Sequence, residues 1–90
     1  MSVTINIPIF LQAFAGDKDS HQEEGQTVGE ALANLCQRYP EMKRLLFDKQ
    51  GKLFSYIGIY LNGTDAYPDE LAKPVKDGDV IHVLMLIAGG

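Results

Sequence analysis

The sequence lacks the features that mark several large classes of protein. Its one cysteine, Cys36, excludes an internal disulfide and gives no sign of an oxidising compartment. Eight basic residues stand against twelve acidic ones, for a net charge of -4, and no stretch of the chain is strongly basic. No apolar run approaches the roughly 18 residues that span a bilayer, and the N-terminus lacks a signal peptide's charged region and cleavage site. We therefore expect a cytoplasmic protein that binds neither nucleic acid nor a membrane.

Catalytic and metal-binding residues are also scarce. His21 and His82 lie far apart in the sequence, and neither has a second candidate ligand at metal spacing, so we expect no metal site. Cys36 falls in the middle of a predicted helix, away from the helix N-terminus that would activate a thiol. Gly25 and Gly29 lack the Lys-Ser/Thr partner of a nucleotide-binding loop. The chain is therefore not expected to be an enzyme or to hold a cofactor.

The length and composition indicate one small folded domain. The chain has 90 residues, of which 46% are apolar and 22% charged, close to the average for globular proteins. A domain of this size buries only about 60 to 65% of the surface that its unfolded chain exposes, which leaves little room for an internal pocket. We therefore expect function to lie on a surface or at a terminus.

Strands are predicted in both halves of the chain. Alternating apolar and polar residues predict a first strand over residues 2–10, in which Pro8 cannot donate to a ladder. A polar, turn-rich segment then leads to a second strand around residues 19–24. A third alternating strand ends at the dipeptide Asn62-Gly63, which favours a tight hairpin turn, and residues 64–68 are expected to return beside it. Residues 80–87 are apolar at seven of eight positions, which predicts a central strand covered on both faces.

One main helix is predicted between these strands. Thr27 and Glu30 have the spacing of a capping box, so the helix is expected to begin there. Apolar residues then recur at helical spacing, and the helix is expected to end before Pro40. A short second apolar turn or helix follows around Met42 and Leu46. The order of elements predicts an α+β domain with a mixed sheet of four to five strands and the main helix on one face.

The C-terminal residues Ile87-Ala88-Gly89-Gly90 follow the last strand almost without a spacer. Glycine has no side chain, so a diglycine segment can enter a channel too narrow for larger residues. Four extended residues reach about 13 to 14 Å, enough to place a carboxylate inside the active site of another protein. We therefore predict a domain over residues 1–86 and a flexible tail over residues 87–90.

The chain resembles the ubiquitin-like β-grasp sulfur carriers of the MoaD/ThiS type over its whole length. It looks most like the branch that delivers sulfide for cysteine or homocysteine synthesis. The segments that carry this likeness are Ile7-Pro8-Ile9, Gly51-Lys52-Leu53, Ile59-Tyr60-Leu61-Asn62, Asp77-Gly78-Asp79 and Ala88-Gly89-Gly90. The terminal diglycine is specific when it is joined to this order of elements.

The resemblance implies a cycle of chemistry at Gly90. An ATP-dependent adenylating enzyme, related to those that activate ubiquitin, would convert the Gly90 carboxylate into an acyl adenylate. A persulfide or sulfide donor would displace AMP and leave a thiocarboxylate, whose sulfur an acceptor synthase would use as a nucleophile. Ile87, Ala88 and Gly89 would thread the partner active sites. The chain would be a protein co-substrate with no active site of its own.

The resemblance also implies a partner interface on the sheet face away from the helix. On the predicted strand phases, that face includes Phe10, Tyr56, Tyr60 and His82. Tyrosines are enriched at interfaces because they combine a large apolar area with a polar tip.

Two other functions remain open from the sequence. The chain could be the small, sulfur-carrying subunit of molybdopterin synthase, although the loop around residues 48–55 looks longer than in that subunit. It could also be a ubiquitin-like modifier that is attached to lysines of other proteins.

Overall fold

Five strands form one mixed sheet in the computed structural model, which describes residues 1–86. The sheet order is β2-β1-β5-β3-β4, with β1 and β5 parallel and the other pairs antiparallel. The strands are β1 (Ser2–Asn6), β2 (Ser20–Glu24), β3 (Ile57–Leu61), β4 (Thr64–Asp65) and β5 (Val80–Met85). The helices are α1 (Ile9–Gln12), α2 (Val28–Arg38) and α3 (Pro40–Leu46), with a short 3-10 helix at Glu70–Ala72. The predicted α+β domain is confirmed, and β5 is its central strand.

Helix α2 begins at the predicted capping box. The Glu30 amide donates to Thr27 Oγ1 at 3.1 Å, and the Glu30 carboxylate accepts from the Gln26 amide at 2.9 Å. The Glu30 amide, which the first turn leaves unpaired, and the amide of Gln26, the residue before the cap, are thus both satisfied. The helix ends at Arg38, and Pro40 opens α3 at its first turn, where a missing N–H costs nothing.

The core lies between α2 and one face of the sheet. Val3 and Ile5 of β1 are fully buried, as are Leu32 and Leu35 of α2. The inward residues of β2 are polar: His21 packs edge-on against Tyr39, with ring centroids 5.3 Å apart, and Glu23 faces the exposed guanidinium of Arg38 at 3.2 Å. These polar contacts explain how a strand with almost no apolar residues still has a buried face.

The first strand is shorter than predicted. It ends at Asn6, and residues 9–12 form the short helix α1 instead of continuing the strand to residue 10. Pro8 has no N–H for the ladder, and its carbonyl accepts from the Leu11 amide at 3.0 Å, which turns the chain into the helix. Leu11 is buried, whereas Phe10 points outward and is 58% exposed.

The prediction that β5 is covered on both faces is wrong. Ile81 and Val83 are buried against the core, but the alternate residues lie on the face opposite α2, where Leu84 is 38% exposed. Continuous apolar strands usually signal two covered faces. Here helix α2 covers one face of β5, and the other remains an apolar surface.

The hairpin at Asn62-Gly63 is confirmed, although its second strand is shorter than predicted. Both residues have positive φ, at 52° and 84°, as a type I′ turn requires. Strand β4 includes only Thr64 and Asp65. Among residues 1–86, no helix is long and apolar enough to cross a membrane.

Candidate functional site

Strand β5 ends beside the start of β3. Met85 pairs with Ile57, and the Leu86 amide donates to the Tyr56 carbonyl at 2.7 Å. Leu86 is the last residue that the structure describes. The predicted tail residues Ile87, Ala88, Gly89 and Gly90, with the boundary proposed after residue 86, lie outside the described residues.

We call the sheet face opposite α2 the outer face. Its central part consists of Tyr60 on β3 and of Val80, His82 and Leu84 on β5. Tyr60 lies directly opposite His82 in the antiparallel register, so the structure brings these two predicted interface residues together. Both side chains are half-buried. The polar ends of Tyr60 and His82 lie near the apolar Leu84, and such a mixture of polar and apolar groups suits protein contact.

Tyr56 lies in the turn that leads into β3. Its ring stacks on Phe54 with the ring centroids 5.2 Å apart and the planes within 7°. Tyr56 is 41% exposed, and its carbonyl holds the Leu86 amide. This third predicted interface residue therefore lies at the end of the sheet where β5 ends.

Phe10 does not lie on the sheet face, because residues 9–12 are helical. Strands β1 and β5 are parallel, however, so the segment that follows β1 leaves the sheet at the end where β5 also finishes. Phe10 and its neighbour Ile9 are exposed there. The prediction of its position on a strand was wrong, but Phe10 shares the end of the sheet with Leu86.

Several exposed apolar residues of this region were not predicted as interface residues. Of the large apolar side chains that are exposed in residues 1–86, most lie on the outer face or at the end of the sheet where β5 finishes. They are Ile9, Phe10, Phe14, Tyr56, Leu84 and Leu86. Scattered exposed apolar residues are ordinary, but a concentration of them in one region is typical of interaction surfaces. The apolar run of the last strand, interrupted only by His82, was the signal for Leu84 and Leu86.

A shallow groove of about 680 Å³ is lined by Leu86 and Gly58, by Phe54 in the loop before β3, and by Leu71 in the short 3-10 helix. Three carboxylates, those of Asp65, Asp69 and Glu70, line it together with the single cation Lys52. The groove therefore has an acidic border, which complements a basic partner surface and favours its approach.

Two groups of residues 1–86 that could carry chemistry, Cys36 and His21, are both buried. Burial raises the pKa of the Cys36 thiol to about 11, although Lys43 opposes this shift, so the thiol stays protonated at neutral pH. His21 is buried, with Nε2 3.3 Å from the Lys18 carbonyl oxygen. No group of three or more metal-binding side chains occurs within the described residues.

Comparisons with known proteins connect this geometry to a family. The model of the ThiS family matches residues 5–90. The sulfur carrier protein CysO of Mycobacterium tuberculosis is 33% identical over 93 residues, covering 100% of both chains. A chain of the crystal structure of the BexX/CysO complex of Amycolatopsis orientalis has a TM-score of 0.87 and 34% identity, covering 98% of this chain and 99% of that one.

A second kind of relative has the same fold. The solution structure of the small archaeal modifier protein 1 from Methanosarcina acetivorans has a TM-score of 0.86 and 27% identity, and the match covers 99% of this chain and 96% of that one. The predicted β-grasp fold is confirmed by these structures. The chain belongs to the ThiS family of ubiquitin-like sulfur carriers.

Proposed function

We propose that Gly90 of this sulfur carrier is adenylated and converted into a thiocarboxylate, which donates sulfide for cysteine or homocysteine biosynthesis. The observation that carries the proposal is the course of the chain: the central strand of the sheet leads, within four residues of Leu86, to the terminal pair Gly89-Gly90. The full-length similarity to a CysO sulfur carrier supports the carrier role.

The chemistry follows from the properties of a carboxylate. Its delocalised charge makes the carbon a poor electrophile, so ATP is used to attach AMP as a leaving group. Hydrosulfide then attacks the acyl carbon: a C–S bond forms, the C–O bond to AMP breaks, and a proton is released. The resulting thiocarboxylate sulfur is a good nucleophile for an acceptor synthase. The chain is a co-substrate in this cycle, because both enzymes supply the catalytic groups.

The outer face and the adjoining end of the sheet are the proposed docking surface. An adenylating enzyme must hold the domain while residues 87–90 reach its active site, and about 13 Å of extended chain is available for this. Tyr60, His82 and Leu84 supply the contact on the outer face, and Phe10 and Tyr56 extend it towards Leu86. The acceptor synthase uses the same surface later, so each complex is transient.

Deletion of Gly90 tests the proposal. We expect the shortened chain to keep its melting temperature, since the hydrophobic core is formed by residues of the 1–86 domain. ATP–pyrophosphate exchange by the adenylating enzyme of the same genome should fall to background. The terminal carboxylate would then belong to Gly89 and would lie one residue short of the position where the enzyme adenylates it. Substitution of the exposed Gln37 by Ala, on the far side of α2, is the control that should retain exchange.

Intact mass spectrometry gives a second, independent measurement. The protein isolated from its own cells should contain a fraction in which one oxygen is replaced by sulfur, and the Gly90 deletion should contain none. Full exchange activity without Gly90, or a melting transition that disappears with it, would contradict the proposal.

A modifier role is the alternative that the similarity to the archaeal modifier favours. In that case the activated carboxyl group would form amide bonds with lysines of other proteins. Covalent adducts of high mass that disappear on deletion of Gly90 would favour it, whereas a thiocarboxylate without adducts favours the carrier. Stable co-purification with a molybdopterin synthase large subunit would instead assign the chain to molybdopterin synthesis.

A further inference from the structure

Gly58 occupies an unusual position in the middle of β3. It lies on the outer face, directly opposite Leu84, and Tyr56 and Tyr60 precede and follow it by two residues. A glycine inside a strand weakens the strand, because it loses more backbone entropy on folding and packs no side chain. The Gly58 backbone does not have a positive φ, so its conformation does not require glycine. The reason for glycine at this position therefore lies in the side chains around it.

The side chain nearest to the open position at Gly58 is that of Leu86. A Cβ at position 58 would lie 3.3 Å from Leu86 Cδ2, slightly closer than ordinary van der Waals contact, and 3.4 Å from Leu86 Cγ, at the near limit of that contact, so Leu86 would have to shift by a few tenths of an ångström. Gly58 is buried although it faces outward, whereas Leu86 is 51% exposed. Leu86 therefore covers Gly58, as a diagonal cross-strand neighbour does. We call this gap in the side chains of β3 the notch.

Leu86 is thus held at two points. Its amide donates to the Tyr56 carbonyl at 2.7 Å, and its side chain rests in the notch. Only four residues separate Leu86 from the end of the chain. Because such a segment spans about 13 Å when it is extended, a rotation at Leu86 would displace the far end by several ångströms.

We propose that Gly58 is a positioning residue, whose missing side chain lets Leu86 seat against β3 and so fixes the direction in which the chain enters the adenylating enzyme. The inference rests on the proposed function and deepens it. On this proposal, Gly58 of strand β3 helps to orient the segment that carries Gly90 into the enzyme. The glycine is then kept despite its entropic cost in a strand because it lets Leu86 take a fixed position.

Substitution of Gly58 by Ala tests the proposal. The half-exposed Leu86 side chain can swing away from the added methyl group, and alanine lowers the entropy of the unfolded chain, so the melting temperature should stay the same or rise. The kcat/KM of ATP–pyrophosphate exchange with the adenylating enzyme should fall about tenfold or more, since small misplacements of a reacting group are costly. Ser2→Thr adds one methyl group at the far end of β1 and is the matched control that should retain full activity.

A double-mutant cycle separates the notch from other effects. Leu86→Ala removes the side chain that the notch holds, and the double variant Gly58→Ala/Leu86→Ala removes both partners. If the two residues act as a unit, the kcat/KM of the double variant should be no lower than that of the less active single variant. If the fold-loss of kcat/KM in the double variant equals the product of the two single fold-losses, the residues act independently and the proposal is overturned.

Hydrogen exchange at the Leu86 amide provides a readout without any enzyme. The bond to Tyr56 should protect this amide in the wild-type chain, and Gly58→Ala should reduce the protection at least several-fold while leaving that of buried Val83 unchanged. Equal protection in both chains would overturn the proposal, and so would a collapse of the melting transition in Gly58→Ala. If the wild type is active in ATP–pyrophosphate exchange and Gly58→Ala is equally active, this inference alone is overturned. If the wild type itself shows no exchange, the proposed function is overturned too.

Discussion

At the scale of single residues, side chains that bridge two turns stabilise the region around the start of β5. Asn62 Nδ2 donates to Asp79 Oδ1 at 3.0 Å, and Asn62 Oδ1 accepts from the Val80 amide at 2.8 Å. The second Asp79 oxygen accepts from the Lys76 amide at 2.8 Å. The β3–β4 hairpin and the turn before β5 are therefore joined through one carboxylate and one amide side chain.

These contacts make a prediction for acid pH. The bond from Asn62 and the bond from the Lys76 amide hold the pKa of Asp79 below its ordinary value of 3.8. Because the folded-state pKa is the lower one, the stabilisation is fully present above that ordinary value and is lost as the pH falls through the folded-state pKa. Urea unfolding of wild type and Asp79→Asn between pH 2 and 7 should show a difference in stability that shrinks below about pH 4. A difference that is constant over the whole range would contradict this assignment.

How far single residues could be predicted from the sequence depended on how local their partners are. The capping pair Thr27 and Glu30 was predictable because both partners lie within one helical turn. The exposure of Leu84 and the closeness of Leu86 to Gly58 were not, because they depend on which strand pairs with β5 and on which face the helices cover. Sequence periodicity carries no information on either.

At the scale of secondary structure elements, helix α2 packs five buried residues against the core: Val28, Ala31, Leu32, Leu35 and Cys36. Its buried residues follow the predicted stripe, with Val28, Leu32 and Leu35 fully buried. The spacing of the sequence also places Tyr39 on this stripe, but Tyr39 caps the helix and only partly enters the core. The helix therefore relies on packing in its first two and a half turns.

Leu32→Ala should lower the free energy of unfolding by about 2 to 5 kcal/mol, through lost apolar contact and the cavity left behind. Chemical denaturation monitored by circular dichroism measures this loss. Gln37→Ala, on the exposed side of the same helix, is the control and should change stability by no more than about 0.5 kcal/mol. An unchanged denaturation midpoint for Leu32→Ala would mean that the helix packs through another face.

The two corrections at this scale have one physical origin each. Apolar and polar residues alternate from residue 2 to residue 9, as in a strand, but Pro8 has no N–H to continue the ladder. The chain turns into α1 instead, where Leu11 is buried. The apolar run of β5 looked like a doubly covered strand because periodicity cannot distinguish a surface buried within the fold from one that awaits a partner. If the outer face is the docking surface that we propose, the apolar run is explained by a surface that contacts a partner.

At the scale of the whole molecule, the fold separates a stabilising face from the outer face, which we propose as the docking surface. Helix α2 covers one side of the sheet, and the outer face keeps Tyr60, His82 and Leu84 at least partly accessible. On this proposal, stability and binding depend on different sets of residues. We expect substitutions on the outer face to change recognition without unfolding the domain.

Leu84→Glu tests this separation. A carboxylate at the centre of the outer face should weaken binding to the adenylating enzyme by about tenfold or more, because a buried charge would be left unpaired in the complex. Isothermal titration calorimetry measures the Kd, and the melting temperature should change little. Gln37→Glu makes a comparable charge change on the exposed side of α2, away from the outer face, and is the control. Equal affinities for the two variants would show that the outer face is not the docking surface.

The parallel pairing of β1 with β5 has a practical consequence for work on this protein. Thr4 lies beside Val80, so the two strands start at the same edge of the domain. In this register Met1 lies level with Asp77, nine positions before Leu86, so Met1 and Leu86 are roughly 30 Å apart. A fluorophore, bead or affinity handle attached ahead of Met1 would therefore lie at the end of the domain away from the proposed reaction at Gly90. Kinetics on an immobilised molecule should then match those of the untethered one.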